Sequence, residues 1–169
     1  MAGALVKIGS ASASGSPSVL TITGINTDYN VYIVQVRGLL PSSDDTIGWR
    51  VTKGGTIQTD SEYDNARKDM PMNAAFQNNS GANQTSVTNA SIDASDCGFF
   101  ATFSLFNWAA SQSSFGTIDH VTYVNSPQGF GGAGGFVHTV SSASDGLSFY
   151  FTGGATFSSG DLVLYGLRK

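Results

Sequence analysis

The sequence predicts an all-β chain: an antiparallel β-sandwich of jelly-roll-like type behind a flexible N-terminal arm. Three observations predict it. Apolar and polar residues alternate in short runs such as "NVYIVQVRGLL" and "LVLYGL", the period of a half-buried strand. Clusters of Gly, Ser, Asn, Asp and Pro, the residues of turns, separate those runs. Helix formers are scarce, with Glu62 the single glutamate, while 11 Phe and 6 Tyr favour strands.

Residues 1–18 form the expected arm. Within it "ALVKI" (Ala4–Ile8) is a short strand, and Leu5, Val6 and Ile8 are candidates to pair with a neighbouring subunit. "GSASASGSPS" has the composition of a flexible linker. The sandwich is expected over residues 19–169. "VLTITGI" and "NVYIVQVRGLL" are strands around the turn "NTDY"; Tyr32, Val34 and Val36 share one face of the second. "IGWRVTKGGTIQT" reads as a hairpin turning at Gly54-Gly55. "SEYDNARKDM" suggests one or two helical turns, with Ser61 as N-cap and Asp64 three residues on. Residues 77–95, polar and Asn-rich, read as a long surface loop with a short strand at Thr85–Asn89.

"CGFFATFSLFNW" carries Phe on both faces and is expected to be a central strand. "TIDHVTYVN" alternates Ile118, His120 and Thr122 against Asp119, Val121 and Tyr123. "QGFGGAGGF" reads as a glycine-rich turn, and "FVHTVS", "LSFYF" and "LVLYGL" as the last strands. Leu147, Phe149 and Phe151 are expected to face the core, and the final two strands to form a closing hairpin. Gly166 inside a strand marks a bulge or a close approach. Eight to ten strands without convincing helix fit a sandwich.

Composition bounds the function. The chain has 169 residues, enough for one domain, and only 12% of them are charged against about 25% in an average domain. Ser, Thr, Asn and Gly therefore supply the polar surface. The net charge of −4, with cations clustered only at Arg67-Lys68 and Arg168-Lys169, excludes nucleic acid as the expected partner. Cys97 is alone, so no disulfide framework exists, and it is expected to be a buried small hydrophobe. The N-terminus lacks the pattern of a signal peptide, and no apolar run is long enough to span a membrane; synthesis in a host cytoplasm is expected.

Candidate chemistry is sparse. His120 and His138 are the two histidines, but no G-x-S-x-G elbow accompanies them, so strand histidines are expected rather than a triad. Asp44, Asp45, Asp60, Glu62, Asp64 and Asp69 have oxygen ligands for calcium but not the EF-hand spacing. "GFGGAGGF" lacks the Lys and the helix of a phosphate loop. No cofactor is expected. Trp49, Trp108, Phe115 and Phe130 can line a sugar-binding surface, cap the core or pack on a neighbouring subunit; core or interface is the expected role.

Taken together, Thr23-Gly24-Ile25 with Tyr29 and Tyr32, then Tyr63, Ala66 and Arg67, then Leu105-Phe106-Asn107, then Phe149, Phe151, Ser159, Gly160, Leu164, Tyr165 and Gly166 form an ordered series of short motifs. The series resembles a β-domain of virion structural proteins of tailed bacteriophages, of the cyanophage and marine-phage type. It covers nearly the whole chain from Val19 onward. Thr152-Gly153-Gly154 departs from the Ser-Gly usual after the "F-x-F" run. The resemblance implies a jelly-roll-like module without catalytic residues, used in capsid decoration or in tail and fibre parts. The expected function is a capsid decoration or cement protein acting in the virion on the major capsid protein. The alternative is a tail or fibre-tip protein, meeting tail proteins and a host glycan. A homo-oligomer is expected, a trimer before a dimer.

Overall fold

The computed structural model describes residues 4–95, 97–124 and 128–167. Thirteen strands build it: β1 (Leu5–Ser12), β2 (Val19–Thr23), β3 (Val31–Pro41), β4 (Asp45–Lys53), β5 (Thr56–Ile57), β6 (Tyr63–Pro71), β7 (Gln77–Gln84), β8 (Val87–Ile92), β9 (Phe99–Phe106), β10 (Ser114–Val124), β11 (Gln128–His138), β12 (Gly146–Phe151) and β13 (Phe157–Leu167). The larger sheet has the order β1-β13-β3-β9-β10-β11-β6-β7, the smaller β2-β12-β4-β5 with β8 also on β4. Every pair is antiparallel, and the two sheets pack as a sandwich. The chain passes repeatedly between the sheets. Arg168 and Lys169, the closing cations, lie outside the described residues.

Alternation decides what is buried. Tyr32, Val34 and Val36 of β3 and Phe99, Ala101, Phe103 and Leu105 of β9 point between the sheets and meet Leu147, Phe149 and Phe151 of β12. The aromatic centre is Trp49, with Phe136 at 4.3 Å and Phe103 at 5.4 Å between ring centroids, both edge-on. Such pairs add about 0.5–1.5 kcal/mol each beyond their buried area. Each polar handle is satisfied. Trp49 Nε1 donates to Asn89 Oδ1 at 3.0 Å, and Trp108 Nε1 to the Phe115 carbonyl at 3.0 Å. Tyr63 OH donates to the Gln58 carbonyl and accepts the Val51 N–H.

Several elements differ from the expectation. The arm is not free: Leu5–Ser12 pairs with β13 from Leu5↔Leu167 to Ser12↔Asp161, with an irregularity between Lys7 and Gly9. β13 would otherwise present an open edge, and β1 satisfies those backbone groups. "SEYDNARKDM" is strand β6, not helix. It is paired on both sides, by β11 and β7, and the Asp64 carboxylate accepts the Asn83 N–H at 2.8 Å instead of capping a helix. The first part of the Asn-rich stretch is not a loop but strand β7, while the short strand expected at Thr85–Asn89 is present as β8, shifted to Val87–Ile92. β7 is polar on both faces, as a terminal strand of a sheet can be.

The glycine-rich segment is the interior of β11, not a turn. Its glycines give room to neighbours: a Cβ on Gly132 would lie 2.3 Å from His120 Cε1, and one on Gly134 would lie 2.4 Å from Arg67 Cβ. The last two strands are not a hairpin. Both edges of β12 are taken by β2 and β4, so β13 crosses to the other sheet. Asp45 holds that crossing by accepting the N–H groups of Gly153 and Ala155 at 2.8 and 3.0 Å. At Gly166 the close approach is a ring: a Cβ there would stand 2.5 Å from the Tyr29 side chain. The β4–β5 hairpin does turn at Gly54-Gly55, with φ of +55° and +75°.

Candidate functional site

Side chains directly opposite in an antiparallel ladder share a face. That rule assembles a continuous apolar row on the outer face of the larger sheet. Leu5 faces Leu167. Leu167 lies one step past the Gly166↔Tyr32 pair, beside Val31. Val31 faces Phe106, Phe106 faces Phe115, and Phe115 faces Val137. The row crosses six strands, about 24 Å at the usual strand spacing. Leu5, Leu167 and Phe115 are 47%, 40% and 38% exposed. The rings of Phe106 and Phe115 lie 6.4 Å apart. Asp64, opposite Val137, bounds the row at its β6 end.

The rows beyond it turn polar. Gln35, Thr102 and Asp119 stand opposite one another across β3, β9 and β10. Arg37 reaches back over them, donating to Gln35 Oε1 at 2.6 Å and to Tyr165 OH at 3.2 Å. Past this stripe a second exposed apolar pair appears, Phe100 opposite Val121. The outer face thus alternates apolar, polar and apolar bands at right angles to the strands.

The expected contact residues divide. Leu5 and Phe115 belong to the apolar row. Val6 and Ile8 are half-buried in β1, and Ile8 packs against the core. Phe130 is half-buried over His120, ring centroids 6.0 Å apart. Trp49 and Trp108 are 0% and 1% exposed, so neither can touch a partner directly or offer a sugar platform. Their indole N–H groups find acceptors inside the sandwich, which explains why these large rings are buried there. Leu167, Val31, Phe106 and Val137 are not among the contact residues expected from the sequence. The available signal was that "NVYIVQVR" and "FFATFSLF" are apolar on both faces for part of their length.

The histidines and several carboxylates are enclosed or bonded by the fold itself. His120 is buried between Phe99 and Phe130, neither ring nitrogen has a hydrogen-bond partner, and burial lowers its pKa to about 4. His138 is also buried, its pKa lowered by burial although Glu62 Oε2 stands 3.3 Å from Nε2, without hydrogen-bond geometry. For Asp45, burial raises the pKa, but N–H groups of Ala155, Gly153 and Thr46 outweigh it and leave the carboxyl below its ordinary value. Asp44 accepts the Ala94 N–H and Asp64 that of Asn83, while Asp69 pairs with Arg67 at 2.7 Å. Among the described residues no three His, Cys, Asp or Glu side chains are placed to share a metal ion. Cys97 is exposed rather than buried, because it precedes β9 instead of lying in it. No family model, no curated protein and no solved structure matches the chain.

Proposed function

We propose that this chain is a non-enzymatic structural protein of a tailed-phage virion, a capsid decoration protein that oligomerises and binds the lattice of the major capsid protein. The observation that carries the reading is the apolar row from Leu5 to Val137 on the outer face of the larger sheet. Monomeric soluble proteins seldom expose a contiguous apolar band of this kind; such bands are usually covered by a subunit or partner. The ordered sequence motifs supply the virion context. The buried histidines and the carboxylates bound to backbone N–H groups suit a chain whose polar residues hold a scaffold rather than perform chemistry. Quantifying this protein in purified virions tests the reading. A copy number that scales with the major capsid protein is expected. A low number matching tail symmetry would assign it to the tail, and absence from virions would overturn the proposal.

A further inference from the structure

We propose that a polar cleft between β6, β7 and β8 binds one neutral sugar residue through its hydroxyl groups. β7 is the terminal strand of the larger sheet, and β8 pairs only with β4 in the smaller one. The cleft between them has a volume of about 150 Å³ and lies on the side where Tyr63 and other inward residues of β6 point. At about 30 Å³ per liquid water, that is room for roughly five waters, or one monosaccharide ring.

Elsewhere the space between the sheets is filled mainly by apolar side chains. Here Asn65, Arg67, Asn79, Gln84, Ser86 and Thr88 line it, and no apolar side chain larger than Cβ does. Arg67 is fixed in place. Its side chain is 9% exposed; Nε donates to Asp69 Oδ1 at 2.7 Å, Nη1 to the Thr88 carbonyl at 2.5 Å and Nη2 to the Asn89 carbonyl at 3.2 Å. A guanidinium so held is pre-organised, and a ligand need not order it. Asp69 neutralises its charge, so the cleft offers an anion no uncompensated cation. The amides of Asn65, Asn79 and Gln84 and the hydroxyls of Ser80, Thr85, Ser86 and Thr88 present both donors and acceptors, with one amide hydrogen of Asn79 shared with Asp69 and one of Gln84 with the Ala82 carbonyl, which matches neutral hydroxyl groups. The site lies away from the apolar row, and this inference does not depend on the virion reading.

The test is an NMR titration of the folded full chain with glucose, galactose, mannose and N-acetylglucosamine, and with glucuronate as the anionic probe. At least one neutral sugar should shift the backbone amides of Asn65, Gly81, Ser86 and Thr88 and the side-chain amides of Asn65 and Asn79, with a Kd of about 1–10 mM. Asn79→Ala should weaken that binding about five-fold, the effect of losing one hydrogen bond. Asn79 is exposed and its bond to Asp69 is long at 3.4 Å, while Asp69 keeps Arg67 as its partner, so the melting temperature should stay close to wild type. If Asn79→Ala fails to fold, the wild-type shift map decides alone. The proposal is overturned if no neutral sugar shifts these amides, if only glucuronate does, or if the shifts map elsewhere.

Discussion

His120 enters the sandwich from β10 and is enclosed by Phe99, Phe130 and Gly132, with Arg67, Asp69 and Asp119 the charged groups that act on it. A neutral imidazole suits this setting and a cation does not. Its pKa falls from 6.5 in the unfolded chain to about 4 in the fold, so the protein binds fewer protons than its unfolded form between those values. The stability His120 contributes is therefore complete above pH 6.5 and is lost progressively as the pH falls towards 4. At roughly 1.4 kcal/mol per pH unit the loss is about 3 kcal/mol. Chemical denaturation of wild type and His120→Phe across pH 4–7 checks this. The wild type should lose stability with acid, and the variant should lose distinctly less. Equal slopes would show that other groups, such as His138, carry the dependence.

At the scale of elements, β1 shows what the sequence could and could not convey. Its apolar residues were legible, but their partner was not, because register and edge pairing are set by the rest of the sheet. Deleting residues 1–12 should uncover the edge of β13 and the core contact of Ile8. We expect a cost of about 2–4 kcal/mol, a fall in melting temperature of about 5–15 °C. An unchanged melt would mean that β1 is an appendage. The same limit explains β6, β7 and β11. β3, β9 and β12 advertise themselves by apolar residues that the core requires. Asn and Gly carry no such signal; "GFGGAGGF" is a strand through its pairing with β10 and β6, and its glycines leave room for His120 and Arg67. The contact residues followed suit. Leu5 and Phe115 could be named from the sequence, while Leu167, Val31 and Val137 become neighbours only through cross-strand register. Trp49, on β4, and Trp108, in the turn between β9 and β10, were ambiguous because an aromatic residue does not declare whether it is buried until an acceptor is found for its N–H.

Across the whole molecule, one side of the larger sheet closes the core and the other carries the apolar row. A charge placed in the row should disturb association without disturbing the fold, since Phe115 points away from the core and is 38% exposed. Surface changes of this kind usually alter stability by less than about 0.5 kcal/mol, whereas a charge in the centre of an interface is strongly unfavourable. Light scattering on wild type and Phe115→Asp at high micromolar concentration therefore tests the central claim most directly. The account predicts a wild-type trimer, three times the 17.6 kDa chain mass, and a folded variant shifted towards monomer. A wild type that remains a monodisperse monomer would contradict it.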